Sequence, residues 1–175
     1  DCFAGCRSLT SISIPNSVAS IGKSCFIFCS SLTSISIPNS VTSIGNGCFY
    51  ECRSLISISI PNSVTSIGKS CFVNCESLEN IYIGNGLKYL NKETFRSDNQ
   101  LKLIEVSEDN PYLTEYKGVL YNKDKTQIII VPTNISRITI PDTVNIISSY
   151  SFYGCDKLKT ITIPNSVTSI GEYCF

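Results

Sequence analysis

The ten cysteines of this 175-residue chain are its most evident candidates for chemistry. They form two sets, one directly before a phenylalanine position and the other four residues later. The first set is Cys2, Cys25, Cys48, Cys71 and Cys174, and the second is Cys6, Cys29, Cys52, Cys75 and Cys155. Thiols in such numbers can build a disulfide framework, hold a metal ion or supply a nucleophile. Some repeats have other residues at the cysteine positions, and the types of those residues help to distinguish between these possibilities.

The replacements favour buried free thiols. Thr94, Ser151 and Ile128 stand at positions of the cysteine before phenylalanine, which makes them small or apolar fillers. Cys155 is present although Ser151 precedes it by four residues, so pairing within a repeat is not required. Disulfides between neighbouring repeats stay open, because stacked strands bring Cα atoms to about 4.8 Å. A metal site is disfavoured because C-x-x-x-C without histidine is not a usual zinc spacing.

Other signals of catalysis or of charged partners are weak. The chain has no histidine, its serines recur in register, and no G-x-S-x-G or glycine-rich phosphate loop occurs. Glu108 and Asp109 are adjacent acids in a polar segment, where a solvated loop is the default. Net charge is +0 and the pI is about 6.4, which disfavours nucleic acid, and no apolar run is long enough to cross a membrane. We predict a non-enzymatic protein with no cofactor and no metal.

The cysteines belong to a repeat of 23 residues. The sequence SIPNSVTSIGKSCF at 59–72 recurs with small changes at 13–26, 36–49 and 162–175. One repeat carries 11 extra residues within 107–127. Such periodicity predicts stacked units that bury a common core. We therefore predict a single solenoid over 1–175, with about seven repeats, which is a fragment of a longer array.

Each repeat divides into three pieces. L-x-x-I-x-I alternates as a strand with one buried face, and Pro-Asn-Ser then turns the chain. Val-Thr-Ser-Ile-Gly at 41–45 predicts a shorter second strand, and NGCFYEC at 46–52 predicts a short helical turn facing inward. Stacking would align one aromatic column, with Ile129 replacing phenylalanine after the insertion. Its members would be Phe3, Phe26, Phe49, Phe72, Phe95, Phe152 and Phe175.

The pattern L-x-x-I-x-I-P-N-S-V-x-x-I-G-x-x-x-F-x-x-C resembles the BspA-like, or Treponema-type, leucine-rich repeats over nearly the whole chain. The resemblance implies a leucine-rich-repeat solenoid, mainly β, with short strands on two faces. Two departures are the cysteine before phenylalanine, where that family commonly has alanine, and the interruption at 110–132. There, YKGVLY and TQIIIV flank the polar turn NKDK, which predicts a β-hairpin insertion.

Candidate binding residues are the outward positions of the first strand in the irregular repeats. Repeats one to three have only serine there, which is typical of a solubilising surface. Around the insertion the pattern changes, and 16 of the 28 charged residues lie between 76 and 126. The predicted partner-binding residues are Tyr82, Leu103, Glu105 and Arg137, with Tyr112, Tyr116 and Tyr121 of the insertion. Divergence of older repeats without selection for binding explains the same change equally well.

The predicted function is protein binding by an extended solenoid. The resemblance further implies a cell-surface or secreted adhesin whose partners are host matrix proteins or host cells. Two alternatives stay open, a structural spacer without a ligand and an intracellular scaffold, which reduced cysteines would suit.

Overall fold

The computed structural model describes residues 1–90, 94–95 and 100–175. They form a β-solenoid of about seven turns, so the predicted fold class is confirmed. The first strands of the turns are β1 (Ser11–Ser13), β3 (Ser34–Ser36), β5 (Ser57–Ile60), β7 (Asn80–Ile83), β8 (Leu103–Val106), β12 (Arg137–Thr139) and β14 (Thr160–Thr162). The second strands are β2 (Ser20–Ile21), β4 (Ser43–Ile44), β6 (Ser66–Ile67), β13 (Ile146–Ile147) and β15 (Ser169–Ile170).

Neighbouring turns pair in parallel at the repeat length. β5, β7 and β8 form one sheet in which Ile58, Ile81 and Ile104 are partners, and all three are buried. The side chains between them point outward, as a period of two requires, and they are Ser57, Ser59, Asn80, Tyr82, Leu103 and Glu105. The second strands form a separate ladder, β2-β4-β6, on another face. Because the sequence repeats, inward residues of the same type stack in columns along the solenoid.

The insertion forms a three-stranded antiparallel unit of β9 (Leu113–Tyr116), β10 (Val119–Asn122) and β11 (Gln127–Ile130). The predicted hairpin across NKDK exists as β10 and β11. Within YKGVLY, Lys117 and Gly118 have φ of 51° and 83° and turn the chain from β9 into β10. This turn adds a second hairpin. β11 also pairs in parallel with β13, which joins the insertion to the solenoid.

The aromatic column is two stacks rather than one. Phe3, Phe26, Phe49, Phe72 and Phe95 stack with centroids 5.1–5.6 Å apart, and Phe152 stacks on Phe175 at 5.0 Å. The placement of Ile129 in this column is wrong. Val131 donates its backbone N–H to Ser151 O, the bond that Phe49 makes to Cys71 O. Ile128 and Ile129 lie in β11 instead, where Ile128 pairs with Ile147.

The expected helical turn is a series of tight turns, and the described residues contain no helix. The N–H of Cys52 donates to Phe49 O at 3.1 Å, and the N–H of Leu55 donates to Cys52 O at 3.1 Å. Left-handed residues on both sides of the phenylalanine, such as Ser70 (φ 55°) and Asn74 (φ 59°), prevent helix propagation. The predicted inward direction is correct, because Cys48, Phe49 and Cys52 are fully buried. Within the described part of the chain, nothing resembles a membrane-spanning helix.

Candidate functional site

Tyr82, Leu103 and Glu105 lie side by side on the outer face of the first-strand sheet. β7 and β8 are hydrogen-bonded neighbours, and their register pairs Tyr82 with Glu105 and Asn80 with Leu103. Tyr82 and Leu103 are 39% and 46% exposed. The preceding strand presents only serine at the same positions. We call Tyr82, Leu103 and Glu105 the strand-face patch, which offers a ring, an aliphatic group and a carboxylate beside a flat hydroxyl surface.

Arg137 and Tyr116 share a second feature, a cleft of about 180 Å³ between the insertion and β12. Lys117 and Thr139 also line this cleft, which we call the insertion cleft. The Nζ atoms of Lys117 and Lys125 lie 5.2 and 4.3 Å from the centroid of the Tyr116 ring, a cation–π arrangement. No described carboxylate forms an ion pair with Arg137. The cleft therefore combines aromatic surface with an available guanidinium group.

The strand-face patch and the insertion cleft involve strands that contact one another. β8, which carries Leu103 and Glu105, packs against β9, which ends in Tyr116. An exposed ion pair borders the patch, with Lys102 Nζ 2.6 Å from Glu79 Oε1. Six of the seven predicted binding residues therefore belong to these two surface features.

Tyr112 lies apart from them, in a cavity of about 300 Å³ between the insertion and the adjoining turns. We call this the tyrosine cavity, whose aromatic lining is Tyr89, Phe95, Tyr112, Tyr150 and Tyr153. Sequence reasoning did not identify Tyr89, Tyr150 and Tyr153 as site residues. A signal was available, because they stand where the third repeat has Ser66, Ser70 and Val73. Only the fold brings these positions of separate turns together.

Tyr121, the third candidate tyrosine of the insertion, lines the insertion cleft with very little exposed surface. Its side chain is 1% exposed and packs in the second core cluster with Val119 and Ile128. Burial, with a smaller contribution from Tyr116, raises the pKa of its phenol to about 12. Tyr121 therefore holds the insertion against the solenoid.

The cysteines are free thiols, and most of them pack in the core, where three link successive turns by hydrogen bonds. Cys29, Cys52 and Cys75 each donate their Sγ–H to a phenylalanine carbonyl oxygen of the preceding turn at 3.1 Å. These acceptors belong to Phe3, Phe26 and Phe49. These buried thiols thus act as small hydrophobes, as predicted, and they also form hydrogen bonds between turns. Cys2 and Cys6, in the first described turn, are exposed.

Burial suppresses the reactivity of the inner thiols. It raises the pKa of Cys52 to about 12, with an added contribution from the thiol of Cys29. Burial likewise raises the pKa of Cys155 and Cys174 to about 11. Since the thiolate is the nucleophile and the metal ligand, these cysteines are poorly suited to either chemistry. No cluster of three potential metal ligands occurs among the residues that the structure describes.

Parallel strands that recur every turn around columns of Leu, Ile and Phe define the class of leucine-rich-repeat solenoids. The family model for the BspA type leucine rich repeat region matches residues 1–118 and 131–175, in 6 copies. The chain belongs to this family. The gap in the match coincides with β10 and β11 of the insertion. A comparison with curated proteins found no match.

Solved structures with the same fold come from several bacteria. A leucine-rich repeat protein from Eubacterium ventriosum is 27% identical, with a TM-score of 0.79 over 95% of this chain and 51% of that one. The pneumococcal vaccine antigen PcpA is 26% identical, with a TM-score of 0.74 over 94% and 47%. A leucine rich cell surface protein from Faecalibacterium prausnitzii is 27% identical, with a TM-score of 0.68 over 97% and 52%. The chain thus spans about half the length of these proteins.

Proposed function

We propose that this chain is a protein-interaction module of a cell-surface or secreted adhesin, which binds host matrix proteins or host cell-surface proteins. Binding uses the strand-face patch and the insertion cleft. The observation that carries this proposal is the exposure of Tyr82 and Leu103 beside Glu105 on a strand face that is otherwise serine. Tyr116 and Arg137 add an aromatic ring and a guanidinium group in the insertion cleft. Tyrosine and arginine are the usual anchors of protein interfaces, whereas serine is rare among them.

The similar structures support the proposed location. One is a vaccine antigen of pneumococcus, and another is described as a cell surface protein. The test is digestion of intact source cells with a protease that cannot enter them, followed by detection of this chain. Loss of the chain without lysis supports surface exposure, and its full protection contradicts it.

Partner binding is tested with purified protein on surfaces coated with a panel of host matrix proteins. A Tyr82→Ala and Arg137→Ala double variant should weaken binding at least about tenfold, because each removes an interface anchor. The matched control is Ser11→Ala with Ser36→Ala, which changes the outward strand positions of Arg137 and Tyr82, respectively, in regular turns. Equal affinities of both variants and the native chain would contradict the proposed site.

An intracellular scaffold is the second candidate, and the free thiols favour it. None of the ten cysteines forms a disulfide in this structure, and free thiols suit a reducing compartment. The protease experiment separates the two candidates, because only a scaffold is protected in intact cells.

A further inference from the structure

The polar side chains that line the insertion cleft are all able to donate hydrogen bonds. They belong to Tyr116, Lys117, Tyr121, Arg137 and Thr139. Hydroxyl groups can donate and accept, whereas ammonium and guanidinium groups can only donate. Among the residues that the structure describes, no carboxylate or carboxamide side chain lines the cleft. The cleft is therefore suited to a ligand that accepts hydrogen bonds.

One of these donors has no partner within the protein. Tyr121 is 1% exposed, and its phenolic oxygen forms no hydrogen bond with a residue that the structure describes. The described oxygens that are both enclosed and unpartnered belong to Thr94 and Ser166, so the Tyr121 oxygen is not enclosed. Because Tyr121 lines the cleft, its hydroxyl reaches solvent there. An aromatic ring in the cleft would leave this hydroxyl unpaired, which costs free energy.

Three cations at the cleft are available to a ligand. Lys117 and Arg137 line it, and the Nζ of Lys125 lies 4.3 Å from the centroid of the Tyr116 ring. None of the three cations forms an ion pair with a described carboxylate. The acid closest in the chain, Glu115, accepts a backbone N–H of the turn between β9 and β10 instead. The charge of the cleft thus favours an anionic ligand.

The other walls and the size of the cleft favour one kind of anion. Val119, Ile135 and Ile138 supply apolar surface, on which the methylene groups of an acidic side chain can pack. A phosphate or sulfate group has polar oxygens on every side, and an apolar wall would leave some of them unpaired. At about 180 Å³ the cleft is also smaller than a small-molecule site of roughly 300–1,000 Å³. It is better suited to one side chain of a larger partner.

We propose that the insertion cleft binds the carboxylate of a glutamate or aspartate side chain of the protein partner. The Tyr121 hydroxyl donates to one carboxylate oxygen, and the Arg137 guanidinium group binds the carboxylate from the exposed side. The hydroxyl keeps its proton at neutral pH, because burial, with a smaller contribution from Tyr116, raises the pKa of Tyr121 to about 12. This inference rests on the proposed function, in which the cleft is part of the binding surface, and it specifies the chemistry of the partner.

The probe is N-acetyl-L-glutamate α-amide, which carries one carboxylate, titrated into ¹⁵N-labelled protein at constant ionic strength. We expect saturable shifts of the Val119 and Ile138 amides and of Arg137 Nε–H, with a Kd on the order of 10 mM, since so small a ligand makes few contacts. The matched neutral probe, N-acetyl-L-glutamine amide, should bind at least about fivefold more weakly. Sodium sulfate and sodium phosphate, which test for a tetrahedral-anion site, should also bind more weakly.

Two substitutions separate the hydroxyl from the charge. Tyr121→Phe removes one oxygen and keeps the buried ring, so it should weaken probe binding about threefold to tenfold without lowering the Tm. Arg137→Gln should weaken binding about tenfold, and this variant decides the question if Tyr121→Phe does not fold, because Arg137 is exposed. The matched control is Lys159→Gln, which removes an exposed positive charge outside the cleft and should bind like the native chain.

Each of four results would overturn the proposal: no saturable shifts up to about 100 mM probe, ten times the expected Kd; equal affinity for the glutamine amide; native affinity in Tyr121→Phe or Arg137→Gln; or tighter binding of sulfate or phosphate. The probe requires no host protein, so the two proposals fail separately. Probe binding by a chain that binds no matrix protein would contradict only the adhesive function. Matrix-protein binding by a chain that does not bind the probe would contradict only the acidic ligand of the cleft.

Discussion

At the scale of single residues, the thiols combine two properties that few other side chains offer together. Cys52 has no exposed surface, yet its Sγ–H reaches Phe26 O of the preceding turn at 3.1 Å. Alanine would fill less space and donate nothing, and serine would carry a more polar group into the core. Repetition of this contact in neighbouring turns links the stack along its length.

We expect Cys52→Ala to lower the free energy of unfolding by about 1–3 kcal/mol, through lost packing and a lost hydrogen bond. The measurement is urea denaturation followed by circular dichroism. The matched control is Cys6→Ala, at the equivalent but exposed position, which should stay within about 0.5 kcal/mol of the native chain. Equal effects at the two positions would contradict the structural role of the buried thiol.

The same burial predicts a loss of stability in alkali. The folded chain raises the pKa of Cys155 and Cys174 from 9.0 to about 11, and that of Cys52 to about 12. Between pH 9 and 12 the unfolded chain therefore binds fewer protons than the folded chain, so the free energy of unfolding falls as pH rises. Below pH 8 these thiols are protonated in both the folded and the unfolded chain, so they should not make the free energy of unfolding depend on pH.

Urea denaturation at intervals from pH 7 to 11 measures this slope. Cys155→Val should make the decline less steep by up to about 1.4 kcal/mol per pH unit, the limit for one proton. A stability that is unchanged up to pH 11 would show that the thiols are not buried as described.

At the scale of elements, the glycine after the second strand is fixed by the stacking distance. A Cβ atom on Gly68 would lie 2.3 Å from the backbone nitrogen of Asn46 in the preceding turn. Gly22 occupies the same position in the first repeat and has nothing within 4 Å of such an atom. The requirement for glycine thus comes from the neighbouring turn and not from the turn itself.

Gly68→Ala should therefore destabilise the chain by about 1–3 kcal/mol or more, because the backbone of Asn46 must move. Gly22→Ala should cost less than about 1 kcal/mol. Both variants replace glycine with alanine, so a difference between their urea midpoints reflects only the position of the substitution. A smaller effect for Gly68→Ala than for Gly22→Ala would contradict the observed stacking.

The sequence was sufficient to predict the regular turns because each inward position repeats one residue type at one period. Ile58, Ile81 and Ile104 are one repeat apart, and this spacing predicts that they are partners in neighbouring strands. The insertion could not be predicted in the same way. β11 moves Ile128 into a strand ladder with Ile147, and this pairing depends on contacts that no period encodes.

The residues of the candidate sites also include some whose positions the repeat predicts and others whose positions it does not. Tyr82, Leu103 and Glu105 were predictable because strand register follows from the repeat. The tyrosine cavity was not, because it depends on how three separate turns approach the insertion. Tyr121 is buried because both faces of β10 pack against hydrophobic clusters, Leu120 in one and Val119 and Tyr121 in the other, which composition alone does not reveal.

At the scale of the whole molecule, the chain combines a uniform part with an irregular part. The early turns present serine along the first-strand face, and the turns around the insertion present aromatic, aliphatic and charged groups. Both parts share one type of inward column, so the outer face can vary without loss of the core. This separation allows the surface to be changed with little effect on folding.

The most direct test of the account is to give the irregular face the composition of the uniform one. A variant with Tyr82→Ser, Leu103→Ser, Glu105→Ser and Arg137→Ser keeps every buried residue. We predict a urea midpoint close to that of the native chain and at least a tenfold loss of affinity for the matrix protein that the native chain binds. Binding at native strength by this folded variant, or no binding by the native chain to any protein of the panel, would contradict the account.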